Sequence, residues 1–251
     1  MELCFGMNNP TLELLRSHRS IRKYKPESVP DSAIRAAIEA GQMASTSSAV
    51  QPASVIVVKD RQKRQRLAEL CGPQEKVAEA GAFLIFLADS RRHRLACRRD
   101  GLEYNQQLEA FLVSVIDTSL MAEKAVIAFE AMGYGICYIG GLRTRIAEVV
   151  ELLNLPEGVY PLFGLCVGVP DEEPSARPRL PVEAVLFEDR YPDDDEVLEI
   201  LSKYDELYRQ YLKDRGAKNI EGWSERMAKK YAKPERTDLG AYYKGKGAGL
   251  D

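Results

Sequence analysis

Hydrophobic and polar positions follow two rhythms along this chain. Residues 54–58, 83–87, Gly135–Ile139 and 162–169 are short apolar runs rich in β-branched and aromatic side chains, the marks of buried strands. Helical periods lie between them. Residues 31–44 set Ile34, Ala37, Ile38 and Gly41 on one face, Arg61–Leu70 is a charged helix, and residues 145–153 form a helix that stops before Pro156. A short helix over 11–17 follows Pro10, a residue suited to a first turn. The longest helical segment is 103–132. Its stretch 110–131 is apolar nearly all round, which places it in the interior or at an interface, and Gly133 suits the left-handed residue that ends it. From 170 to 192 prolines and charges mark a long surface excursion. Helices return at 195–213 and 223–232, and the Gly-rich stretch 244–251 is expected to fray. The pattern predicts a mixed α/β core with a helical C-terminal third.

Composition narrows the function classes. Lys plus Arg against Asp plus Glu is 35 − 38 = −3, which gives no global attraction to nucleic acid or to an anionic membrane. The longest purely apolar run, 82–88, is too short to span a bilayer, and residues 1–6 lack the basic and apolar regions of a signal peptide. The five cysteines form no C-x-x-C pair, so a reduced, cytoplasmic setting is expected. With His18 and His93 as the only histidines there is no H-E-x-x-H, and G-x-S-x-G and G-x-x-x-x-G-K-[ST] are also missing. A zinc hydrolase, a lipase-type esterase and a P-loop ATPase are therefore disfavoured, and no metal site is expected.

Four constellations carry candidate chemistry. In an extended stretch, His18, Ser20 and Arg22 share a face and suit a phosphate, although a solvated basic edge accounts for them equally well. Arg177 and Arg179 stand in a proline-stiffened loop and suit an anion clamp; the alternative is a charged loop. Residues 44–48 form a small hydroxylated loop, which simple turn chemistry also explains. Gly140 and Gly141 follow a strand and admit close approach of a flat ring, or merely end the strand. Their spacing from Gly133 and Gly135 is not the dinucleotide fingerprint. His93 reads as a surface residue, and Cys137 and Cys166 as small core hydrophobes.

In this order the segments resemble the nitroreductase superfamily, in particular its oxygen-insensitive NADPH nitroreductase A and NfrA-type NADPH–FMN oxidoreductase group. The residues that carry the resemblance are His18–Arg22, 44–48, 72–74, 138–142, 161–165 and 178–181, spread over residues 10–243. The resemblance implies an α+β fold with a central mixed, mainly antiparallel sheet flanked by helices. It also implies a homodimer with FMN at the interface. A core over 7–192 would bind FMN, and a helical extension over 193–251 would lie near NADPH and embrace the partner; Met7 is an alternative start. By position, His18, Arg19, Ser20, Arg177 and Arg179 would hold the FMN phosphate, and Arg22 and Gln74 would face the flavin's pyrimidine edge. Tyr138, Ile139, Gly140, Gly141 and Leu142 would line the ring, and Thr46, Ser47, Ser48 and Gln51 would reach in from the other subunit. Arg215, with Lys218 in place of a second family arginine, would meet NADPH, while Glu221 would oppose a phosphate. Arg177 stands where lysine is usual in the group.

A flavoenzyme delegates hydride chemistry to its cofactor, so no catalytic side chain is assigned. The resemblance implies ping-pong, two-electron reduction of nitroaromatics, quinones or free flavin by NADPH or NADH. The rivals are a flavin-binding or flavin-delivering protein with little turnover and a non-redox phosphate-binding protein.

Overall fold

The computed structural model describes residues 9–105 and 107–250, so Cys4 and the alternative start Met7 lie outside the described residues. The β2 strand, Ala82–Asp89, is buried along its whole length and organises the fold. Side chains of a strand alternate between its faces. Accordingly Phe83, Ile85 and Leu87 enter one core, and Ala82, Leu84 and Phe86 enter the other. β1 (Ala53–Val57), β2, β4 (Val159–Gly168) and β3 (Gly135–Ile139) form a four-stranded sheet in the order β1-β2-β4-β3. Every ladder is antiparallel. The parallel element is an isolated bridge between Ser20 and Ile136.

On one face pack α2 (Asp31–Gln42) and α6 (Leu108–Ala131), through Ile34, Ala37, Ala122, Ala125, Val126 and Phe129. The other face takes α3 (Arg61–Leu70), α4 (Glu75–Glu79) and α7 (Ile146–Leu152), through Leu67, Leu70, Val77, Val149 and Val150. α1 (Pro10–Ser17) and α5 (Arg91–Arg99) complete this part up to residue 174. As expected, α6 is terminated by Gly133, two residues beyond Ala131, whose φ of 84° lies in the left-handed region. It begins at Leu108 and not at 103.

The C-terminal stretch departs from expectation. Gly-rich chains fray when nothing anchors them, but here α10 (Leu239–Gly245) buries Tyr243, whose hydroxyl donates to the Pro161 carbonyl at 2.7 Å. Ala248 is buried, and Arg94 Nη2 donates to the Gly247 carbonyl at 2.6 Å. Two apolar anchors and one guanidinium outweigh the glycines' backbone entropy.

Contacts divide the chain into two compact units, Met1–Pro174 with Asp238–Asp251, and Ser175–Thr237. The second unit consists of the proline-rich excursion, α8 (Asp194–Asp214) and α9 (Trp223–Tyr231). Asp193 caps α8 in a reciprocal box with Glu196. Buried Asp205 accepts from the Ser224 backbone N–H at 2.8 Å and ties α8 to α9. No helix among the described residues is long and apolar enough to cross a membrane.

Candidate active site

The chain leaves α1 in extended form. Ile21 N–H donates to the Ile136 carbonyl at 2.8 Å, and Ile21 is buried while Arg22 points to solvent. This alternation puts His18, Ser20 and Arg22 on the outer face. His18 Nδ1 sits 2.6 Å from Glu130 Oε1, which orients the imidazole. Glu172 Oε1 accepts the backbone N–H groups of Arg22 and Lys23 at 2.5 and 3.1 Å. Arg19 Nη1 folds back onto the Ser17 and His18 carbonyls at 2.9 and 2.8 Å. The ribbon is thus held at both ends by carboxylates.

From Ala110 onward α6 carries four charged residues, and each holds a neighbouring segment. Both carboxylate oxygens of Asp117 accept the Ser47 N–H, at 3.1 and 3.3 Å. Glu123 accepts the Tyr138 hydroxyl at 3.2 Å, Lys124 donates to the Met43 carbonyl at 2.6 Å, and Glu130 holds His18. The loop at Asp117 is strained: Ser48, Ala49 and Gln51 have φ of 46°, 57° and 50°, unusual for residues with a Cβ. Arg92 Nη1 and His93 Nε2 fasten it further, donating to the Gln51 and Val50 carbonyls at 3.1 and 2.8 Å. His93 therefore serves the structure of this loop. The anchors of Ser47 and His18 are 130 − 117 = 13 residues apart on α6, about 20 Å along its axis. Within the chain the hydroxylated loop and the ribbon are held apart.

β3 runs into a tight turn, Gly140–Arg143. Ile139 and Leu142 are core residues, so only their backbone is available to a ligand. A Cβ on Gly141 would overlap the Cys71 carbonyl oxygen and lie 2.5 Å from Gln74 Nε2, which itself donates to that carbonyl at 2.7 Å. Glycine here lets Gln74 lie directly on the turn. On Gly140 the space is open, with Arg143 Nη2 as the nearest neighbour at 3.6 Å. Tyr138 stands edge-on to Phe163 at 5.1 Å. Burial, and then the Glu123 carboxylate, raise its hydroxyl pKa above the ordinary tyrosine value. Burial likewise raises the Cys137 thiol, and Arg22 partly offsets the rise. The structure therefore brings Gln74, Gly141 and the end of β3 together.

The second unit holds Arg177 and Arg179 in a pocket floored by Tyr204, Tyr208 and Trp223. Tyr204 donates to the Pro178 carbonyl at 2.8 Å and fixes the loop between the two arginines. Arg215 Nη1 donates to the Tyr211 hydroxyl at 2.8 Å. Burial works to raise the Tyr211 pKa, but hydrogen bonds from Arg177 and Arg215 prevail and lower it. Lys218 is exposed. Glu221 is ion-paired with Lys229, which lowers its pKa and locally cancels its charge.

The sequence reading missed the residues that hold the site: Asp117, Glu123, Glu130, Glu172 and Arg92. One signal was available. Three of them are carboxylates in a mostly apolar helix, where an ionised group needs a partner.

The model of the nitroreductase family matches residues 15–169, and that of the family's C-terminal domain matches 177–251. An oxygen-insensitive NADPH nitroreductase of Salmonella typhimurium is 42% identical over 229 residues, covering 91% of this chain and 93% of its own. An FMN reductase (NADPH) of Bacillus subtilis is 39% identical over 246 residues, covering 96% and 98%. The solved structure of the NfrA1 nitroreductase from B. subtilis superposes with a TM-score of 0.92 at 38% identity, over 96% of this chain and 100% of that one.

Proposed function

The chain belongs to the nitroreductase family, and on that footing we propose that it is an FMN-dependent oxidoreductase using NADPH. Its acceptors are small molecules: nitroaromatics, quinones or free flavin. The observation that carries this reading is the end of β3, where a side-chain amide lies on a turn whose Gly140 is open to close approach. That set of groups fits a flat, hydrogen-bonding ring. In the second unit Arg177 and Arg179, with Tyr204 holding the Pro178 carbonyl between them, suit a phosphate. When bound, FMN supplies two-electron hydride chemistry.

The protein's own residues supply position and charge. Arg22 and Gln74 face the polar ring edge, where a guanidinium favours developing negative charge. The backbone of Tyr138, Ile139, Gly140, Gly141 and Leu142 borders the ring. His18, Arg19, Ser20, Arg177 and Arg179 take the phosphate. Arg215 and Lys218 take the nicotinamide nucleotide, and the Glu221–Lys229 pair removes the repulsion that Glu221 would otherwise exert. No side chain is assigned to proton transfer. Steady-state kinetics with NADPH and menadione test the reading: ping-pong turnover gives parallel double-reciprocal lines. FMN binding with negligible NADPH oxidation supports the flavin-delivering rival instead.

We further propose that the protein works as a homodimer in the cytoplasm, with Thr46, Ser47, Ser48 and Gln51 serving the flavin of the partner subunit. Two observations support this. Leu108, Leu112, Ile116 and Leu120 form an exposed apolar stripe at four-residue spacing along α6, 41–54% exposed. The separation of roughly 20 Å along that helix keeps the loop from its own ribbon. Ile116→Asp with Leu120→Asp is expected to give a monomer that no longer retains FMN, read by light scattering and bound-flavin stoichiometry. A double variant that stays dimeric contradicts the assignment of this face.

A further inference from the structure

We propose that Arg226 is a third guanidinium of the Arg177–Arg179 pocket, and that the pocket binds a phosphate monoester through all three. The proposal rests on the nucleotide-dependent reading above and adds a residue that reading does not contain. Arg226 lies in the first turn of α9 and lines the same pocket as Arg177 and Arg179. Its Nη1 donates to the Tyr208 hydroxyl at 3.2 Å, and its guanidinium carbon lies 5.9 Å from the centre of that ring. Tyr208 is buried, so the phenol is a fixed support.

The charge balance around the three arginines points to an anion. Among the described residues none of the three forms an ion pair with a carboxylate, although carboxylates are close by. Each makes its short contacts elsewhere: Glu225 with Arg209 at 2.9 Å, Glu221 with Lys229 and only at longer range with the charge of Arg226, and Asp205 with the neutral Ser224. Like charges gathered on one pocket repel, and a dianion removes that repulsion while matching the guanidinium forks. Exposed arginines lose side-chain entropy when they order. Here Tyr204 holds the backbone between Arg177 and Arg179, and Tyr208 holds Arg226, before any ligand arrives. Arg226 stands well beyond the stretch after Arg215 in which a second family arginine is missing, so it brings a cation to this unit from a different helix.

A phosphate monoester could come from FMN or from the 2′-phosphate of NADPH, and the test separates the two. The flavin arm compares FMN with riboflavin, which lacks the phosphate, on full-length protein stripped of flavin. The pyridine arm compares adenosine 2′,5′-bisphosphate with adenosine 5′-monophosphate on the FMN-loaded protein. Trp223, the only tryptophan in the chain, lines the pocket and reports occupancy by its emission. Arg226→Gln is expected to reduce one of the two preferences about tenfold, the value of one charge-assisted hydrogen bond, with riboflavin affinity unchanged. Arg226→Lys should lose less. A fall in the FMN preference identifies the flavin phosphate, and a fall in the bisphosphate preference identifies the pyridine nucleotide. Both preferences within twofold of wild type, while Arg177→Gln abolishes the FMN preference, would overturn the proposal. If wild-type protein binds no flavin, the functional reading fails by itself. Inorganic phosphate then decides the pocket: a Trp223 response weakened about fivefold or more in Arg226→Gln supports it, and an equal response in the two proteins refutes it.

Discussion

The His18–Arg22 ribbon and the Arg177–Arg179 pocket carry similar residues, both proposed here to meet an anion, but they are held in opposite ways. Carboxylates hold the ribbon, Glu130 at the His18 ring and Glu172 at the backbone of Arg22 and Lys23. Phenols hold the second unit's cationic segments: Tyr204 at Pro178, Tyr208 at Arg226 and Tyr211 at Arg215. A carboxylate cancels charge while it orients a group; a phenol orients and leaves the charge intact. The contrast assigns direction to the ribbon and electrostatic attraction to the pocket.

The largest effect is therefore expected in the pocket. Arg177→Gln with Arg179→Gln should weaken FMN by about 10²-fold or more while sparing riboflavin, since each charge-assisted hydrogen bond contributes about 1.5–3 kcal/mol. Equal loss of both flavins, measured by fluorescence quenching, would mean that the pair supports the fold and not the phosphate. Glu130→Gln should cost less, about fivefold in FMN affinity, because the amide oxygen can still accept a hydrogen bond from the His18 ring, though a weaker one than a carboxylate accepts. A loss as great as that of the double arginine variant would erase the proposed division of labour.

The smallest effect concerns acid. Arg190, and then the Asp193 backbone N–H, pull the Glu196 pKa down to about 2. A folded-state pKa depressed in this way contributes stability above the ordinary glutamate value of 4.5, and that stability is lost as pH falls toward about 2. Glu196 closes the cap of α8, the helix that carries all three tyrosines. In Glu196→Gln the acid limb of thermal stability between these values should flatten slightly. An unchanged limb would show that this exposed cap contributes nothing measurable.

Legibility in the sequence followed local rules. β2 was readable because a run buried on both faces is apolar throughout, and α3 because its N-cap Asp60 and its length are ordinary. α5 was not, because Arg91–Arg99 looks like a solvated surface; its place comes from Arg94 reaching Glu157 and the Gly247 carbonyl, partners far away in sequence. The docked C-terminus escaped for the same reason, since the anchors Tyr243 and Ala248 matter only against distant residues. In the site, the ribbon, the hydroxylated loop and the glycine turn were visible as motifs. The carboxylates on α6 were not, because an acidic residue in an apolar helix reveals a need for a partner without saying which. Arg226 was invisible as well, since nothing local links α9 to the loop at 177.

The central claim is that this chain binds FMN and reduces it with NADPH. Anaerobic titration of the purified protein with NADPH, followed in the visible flavin band, tests it most directly. The expected result is stoichiometric bleaching, one NADPH per bound flavin, and full recovery on adding menadione. A protein that takes up no FMN, or whose flavin band is unmoved by excess NADPH, contradicts the account.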